Sequence, residues 1–217
     1  MKSILNVGVL ALASVIGAQA MAQEKPVSYV HPEVPAYAGW GWHLGVEHLA
    51  IDSAVAKKEK IRDSATAFNL GADYYMADKP FEFHMGLSLI QYGDHAEFEV
   101  HGCWEGGFRD GDCGSEKSDA SAMQVFGDFG LRKRFGPNFG GFYTVRGGYG
   151  AIFGSERAVD NCKGVCGGSD IDVSGGLYGL AGIGFNATKS FSMGLNYKQY
   201  LSGDLDSAFA LDLRWAY

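Results

Sequence analysis

The stretch FALDLRWAY, residues 209–217, sets large apolar side chains at every second position: Phe209, Leu211, Leu213, Trp215 and Tyr217. Between them stand Ala210, Asp212, Arg214 and Ala216. An extended strand sends successive side chains to opposite faces, so the stretch predicts one apolar face and one face carrying charges of both signs. Which of these faces is the interior decides the fold.

The same period of two recurs seven times upstream. Trp40, Trp42, Leu44, Val46 and Ala50 oppose His43 and Glu47. Phe68, Leu70, Ala72, Tyr74 and Met76 oppose Asn69 and Asp73. Phe81, Phe83, Met85, Leu87 and Leu89 oppose Glu82, His84 and Ser88. Met123, Val125, Phe129 and Leu131 oppose Gln124, Asp128 and Arg132. Tyr143, Val145, Tyr149, Ala151 and Phe153 oppose Thr144 and Arg146. A glycine-rich sixth segment places Val173, Leu177, Ala181, Ile183 and Phe185 on one face. The seventh sets Phe191, Met193, Leu195 and Tyr197 against Asn196 and Lys198.

The links between these strands differ in length. ADKP (77–80), GPNF (136–139) and ATKS (187–190) have turn composition. About Ile51–Ser64, Gly93–Ala120 and Gly154–Asp170 read as long polar loops, and LSGDLD (201–206) as a short one. Tight turns therefore gather at one end of the sheet and long loops at the other.

A soluble barrel would bury the apolar faces. Three features argue for the inverse. The opposing faces carry Glu47, Asp73, Glu82, Asp128, Arg132, Arg146, Lys198, Asp212 and Arg214 near mid-strand. The apolar faces are aromatic near strand ends, at Trp40, Tyr74, Phe81, Phe135, Tyr143, Phe153, Phe191, Trp215 and Tyr217, as interfacial belts require. Short turns opposite long loops complete the pattern. The expected fold is all-β: an eight-stranded antiparallel up-and-down transmembrane β-barrel over residues 38–217.

The first residues, MKSILNVGVLALASVIGAQAMAQ, combine Lys2, a short apolar run and small residues around 18–22, the layout of a secretory signal peptide. Residues 1–22 are assigned to it, and the proline-rich 23–37 to a flexible periplasmic lead-in. With 18 basic and 25 acidic side chains among 217 residues, the net charge is −7, which disfavours nucleic acid as a partner.

On these strands, turns and terminal residues the chain resembles the small eight-stranded outer-membrane barrels of Gram-negative bacteria, of OmpA, OmpX and opacity type. The resemblance spans about Tyr37 to Tyr217. It implies an outer-membrane location, outer-membrane lipid and lipopolysaccharide as surroundings, and a monomer. It also implies that the barrel assembly machinery reads Phe209, Leu211, Leu213, Trp215 and Tyr217, with Tyr217 where the family usually ends in Phe.

An eight-stranded barrel has an interior that side chains can fill, and unpaired buried charges are costly there. Glu47, Asp73, Glu82 and Asp128 are therefore expected to pair with Arg132, Arg146, Lys198 and Arg214, leaving a mostly closed lumen. The function expected is structural or surface-interactive, through envelope integrity, adhesion or an extracellular ligand of the loops. A narrow porin-like channel and a lipid A-modifying enzyme are the alternatives.

For the enzyme, His43, His48, His84, Ser88 and Glu47 supply residue types for nucleophilic catalysis but form no local motif. No catalytic residue, cofactor or metal is assigned. Cys103, Cys113, Cys162 and Cys166 fall in long loops of an exported chain and read as disulfides, with Cys103–Cys113 and Cys162–Cys166 favoured over cross-loop pairing or a zinc site. RDGDCGSE (109–116) is an acidic stretch read as a solvated loop, with a weak divalent-cation site as the alternative.

Overall fold

A computed structural model describes residues 39–76, 79–94, 118–135, 140–159, 169–188 and 190–216. The signal peptide, the lead-in, the four cysteines, residues 109–116 and Tyr217 lie outside the described residues.

The elements run β1 (Gly39–Ile51), α1 (Ser53–Glu59), β2 (Ile61–Tyr75), β3 (Phe81–Asp94), β4 (Ser118–Phe135), β5 (Gly141–Val159), β6 (Ser169–Asp170), β7 (Gly176–Asn186), β8 (Phe191–Tyr200) and β9 (Leu205–Ala216). Every pairing is antiparallel, in the order β4-β3-β2-β1-β9-β8-β7-β5, and β4 also pairs with β5. The wall is thus a closed ring of eight strands with no free edge. The two-residue β6 is an extra ladder on β5, through Glu156–Asp170 and Arg157–Ser169.

The period of two places the faces as their residues require. Leu70, Ile183 and Leu195 are 54%, 61% and 60% exposed on the outer wall, while Asp73 and Glu82 inside are fully buried. A contiguous apolar exterior of this size suits hydrocarbon, not water. Closure satisfies the backbone groups that lipid cannot. The expected fold is the fold observed.

Aromatic pairs ring the turn end of the outer wall. Trp40 packs on Tyr74 at 5.1 Å between ring centroids, Phe81 on Phe129 at 5.5 Å, and Phe191 on Trp215 at 5.3 Å. Nearer the loop end Tyr197 meets Phe209 at 4.9 Å. The wall is uneven in height: β4 and β5 have 18 and 19 residues, against 11 and 10 for β7 and β8. About ten residues suffice for a membrane strand, so the β4–β5 ribbon projects beyond the neighbouring β7 and β8.

The loop end departs from expectation. Residues 51–64 do not form the polar loop that their composition suggests; β1 runs into α1, and β2 starts at Ile61. Asp52 caps the helix by accepting from the Ala54 N–H at 2.8 Å, and Lys60 ends it in the left-handed conformation (φ 56°). Val173, expected to face outward with Leu177, is buried. The reason is that 171–175 is not strand, so the parity counted back from Leu177 does not reach it.

Candidate functional site: the barrel interior

The interior has two layers. Nearer the loop end it is apolar. Leu49, Ile51, Ile61, Ile90, Tyr92, Ile171, Val173 and Leu205 form one buried cluster, with Ala56 of α1 pressed into it. Several polar contacts tie the cover down. Arg157 donates to the carbonyls of Glu59 (3.0 Å) and Lys60 (3.4 Å), Asp172 N–H donates to Glu59 (3.2 Å), and Ser174 N–H donates to Asp204 (2.7 Å). Asp52 N–H in turn donates to the Asp204 carbonyl at 2.8 Å. Lys58 lies 3.0 Å from Glu59 and 3.4 Å from Asp172, and its hydrogen bond to Glu59 raises its pKa.

The second layer, toward the turn end, is charged. Lys198 Nζ lies 2.8 Å from Glu47 Oε2, which also accepts from Asn69 at 2.9 Å. Arg146 donates to Asp128 at 2.9 Å, and Asp128 accepts from the Tyr178 hydroxyl at 2.9 Å. Arg146 Nε also lies 3.5 Å from Glu82, whose carboxylate accepts from Thr144. Arg214 joins Asp212 at 3.1 Å and Glu82 at 3.7 Å, and Asn196 donates to Asp212.

Two sequence expectations need correction. Asp73 does not meet the arginine or lysine expected of it; it is flanked by His43, at 2.7 Å, and by His84, both through Nδ1. Among the described residues, Arg132 forms no ion pair with a lumen carboxylate. It sits near the turn after β4, donates to Asn186 at 2.8 Å, and lies over the Phe142 and Tyr75 rings at 3.6 and 5.0 Å. Its reach ends among aromatic faces, where a guanidinium is attracted to the ring quadrupole.

The strands also bring in residues that charge patterning does not single out. Phe126, Phe142 and Tyr178 fill the lumen, each facing a glycine across the strands. A Cβ at Gly184 would lie 2.4 Å from Phe142, and one at Gly86 2.8 Å from Phe126. Large and small side chains alternate so that the narrow interior closes. Among the described residues, a cavity of about 20 Å³ is bordered by His43, His84, Asn69, Asp128, Lys198 and Asp212.

The residue types expected for catalysis are not assembled. His48 faces outward, opposite Glu47. The buried Ser88 hydroxyl has no hydrogen-bond partner, and the two interior histidines turn to Asp73.

No protein-family model matches the chain, and no curated protein matches it. Solved structures do. A crystal structure of Neisserial surface protein A is 12% identical, covers 84% of this chain and 100% of its own, with a TM-score of 0.47. Ail, the attachment invasion locus protein of Yersinia pestis, is 14% identical over 83% of this chain and 98% of its own, with a TM-score of 0.41. The outer membrane protein OprG of Pseudomonas aeruginosa is 12% identical over 85% and 99%, with a TM-score of 0.38.

Proposed function

We propose that the protein is a non-conducting barrel of the bacterial outer membrane, whose work is done at its loop end: a rigid membrane anchor that presents long outward segments to an extracellular ligand or to lipopolysaccharide. The observation that carries this reading is the double closure of the interior. Below, ion pairs and aromatic rings fill the lumen; above, an apolar layer is covered by α1 and residues 171–174. An ion crossing it would have to part several buried charge pairs, each costing several kcal/mol (about 3–5) to break one-sidedly. The β4–β5 ribbon is longer than a membrane requires, so it extends past the bilayer at the loop end.

The test is conductance. Protein refolded under oxidising conditions and inserted in a planar bilayer is expected to leave the membrane silent, with insertion confirmed by protease protection. Reproducible discrete steps that change ion selectivity in Arg146→Ala would replace this reading with a narrow channel. Lipid A of unchanged mass in cells with and without the protein is expected as well; a shifted mass would turn the search toward an enzyme.

A further inference from the structure

We propose that the charged layer binds one divalent transition-metal ion of the zinc class, ligated by His43, Asp73 and His84. The proposal does not depend on whether the lumen conducts.

The donors come from three adjacent strands. Asp73 of β2 and His84 of β3 are direct register partners, and His43 of β1 stands across from Gly71, one inward position further along β2. Their ligand atoms all lie within 4.8 Å of one another, and all three residues are buried. Two imidazoles and one carboxylate are the donor set that suits zinc and its first-row neighbours.

Three further observations point the same way. The first is charge. Glu47, Asp73, Glu82, Asp128 and Asp212 are buried in this layer, against Arg146, Lys198 and Arg214 as its buried fixed cations. The deficit is two positive charges, and Arg132 at the turn-side edge removes at most one of them. A divalent ion supplies the missing charge, and it supplies it where the histidines stand.

The second is polarity. With both rings neutral and both Nδ1 atoms donating to Asp73, His84 Nε2 is an acceptor. It then faces Glu82 Oε2 at 3.3 Å, acceptor against acceptor, and both atoms are buried without a hydrogen-bond partner. An ion ligated by His84 Nδ1 beside Asp73 removes that conflict, because the ring proton then sits on Nε2 and can be donated to Glu82.

The third is space. A Cβ at position 71 would lie 2.3 Å from His43 Cε1, so glycine there admits the ring. The 20 Å³ cavity beside both histidines holds one water-sized ligand, which completes a coordination shell of three protein donors.

The experiment uses full-length mature protein, refolded oxidised in detergent after chelator treatment, with and without one equivalent of Zn²⁺ or Co²⁺. Metal content after desalting is read by mass spectrometry, the Co²⁺ form by visible absorption, and folding by the heat-dependent gel shift. One retained equivalent, a higher melting temperature with metal, and cobalt bands without a sulfur-to-metal transition are expected. His84→Gln and His43→Gln should each bind more than about tenfold more weakly, while His48→Gln on the outer wall binds as the parent does. Retention of less than a tenth of an equivalent overturns the proposal. A sulfur-to-cobalt band, or equal binding by His48→Gln and His84→Gln, overturns it too, by placing the metal on loop cysteines or on the surface. If His84→Gln fails to fold, the metal content and cobalt spectrum of the parent decide.

Discussion

Lys198 Nζ meets Glu47 Oε2 at 2.8 Å, so a strand near the end of the chain is tied through the lumen to the first strand of the barrel. Both side chains are buried, and between them they link β8 to β1 past the intervening β9. Truncating one partner strands the other charge. Lys198→Met is expected to lower stability by about 3–5 kcal/mol. Adding Glu47→Leu should recover much of that loss, because no charge is then left unpaired. Urea unfolding of the folded barrel in lipid, run as a double-mutant cycle, reads the coupling; additive losses would mean that the pair contributes nothing as a pair.

Several inward glycines are steric requirements. A Cβ at Gly71 would press on the His43 ring at 2.3 Å and on the Met85 carbonyl at the same distance. Gly71→Ala is expected to destabilise by about 1–3 kcal/mol through overpacking. Gly179, on the outer face of β7, is the control: a Cβ added there would meet nothing within 4 Å, and Gly179→Ala should leave stability near that of the parent.

The helix cover ends on a strained residue. Lys60 holds φ 56° without being glycine. The left-handed conformation costs a non-glycine residue about 1 kcal/mol, so Lys60→Gly is expected to stabilise by that amount. Arg157→Ala should act in the opposite direction, because it removes the donors to the Glu59 and Lys60 carbonyls at the same helix end. Hydrogen exchange at residues 53–60 should slow in the first variant and quicken in the second.

The two faces of one strand should answer opposite substitutions. Leu195 lies outside, near the middle of β8, and Leu195→Arg is expected to cost about 2–4 kcal/mol in a bilayer. Asn196, its inward neighbour, donates to Asp212, and Asn196→Leu should destabilise by leaving that carboxylate with one donor fewer. Unfolding of both variants in lipid vesicles checks the pair; a neutral Leu195→Arg would mean that this face does not meet hydrocarbon.

Much of this architecture is legible in the sequence because the barrel inverts a simple rule. Period two separates Trp215 and Leu213 from Arg214 and Asp212 without any knowledge of partners, and repetition in eight segments supplies the wall. Contacts across the lumen are a different matter. Which carboxylate meets which cation depends on register and strand tilt, so charge counting matches Asp73 to a cation while the fold sets it between two histidines. Sequence carries one usable hint: His84 and Asp73 are separated by a tight turn, which makes them cross-strand neighbours in a hairpin. Arg132 departs from expectation because its charge is visible in the sequence and its height near the turn is not. At the loop end, Asp52 followed by SAVAKKE is a helix-capping signal, but seven residues are too few for periodicity to outvote a loop. Val173 turns inward because the strand breaks at 171–175, which changes nothing in composition and everything in facing.

The apolar wall faces lipid and the charged layer faces inward. Spin labels placed singly at residues 193 to 198 along β8 in the reconstituted protein test it most directly, through collision with oxygen dissolved in the bilayer. Positions 193, 195 and 197 should show high oxygen accessibility and positions 194, 196 and 198 low, alternating along the strand. Accessibility to a water-soluble nickel reagent at 193, 195 and 197, without that alternation in oxygen, would contradict the claim and return the chain to a water-soluble barrel.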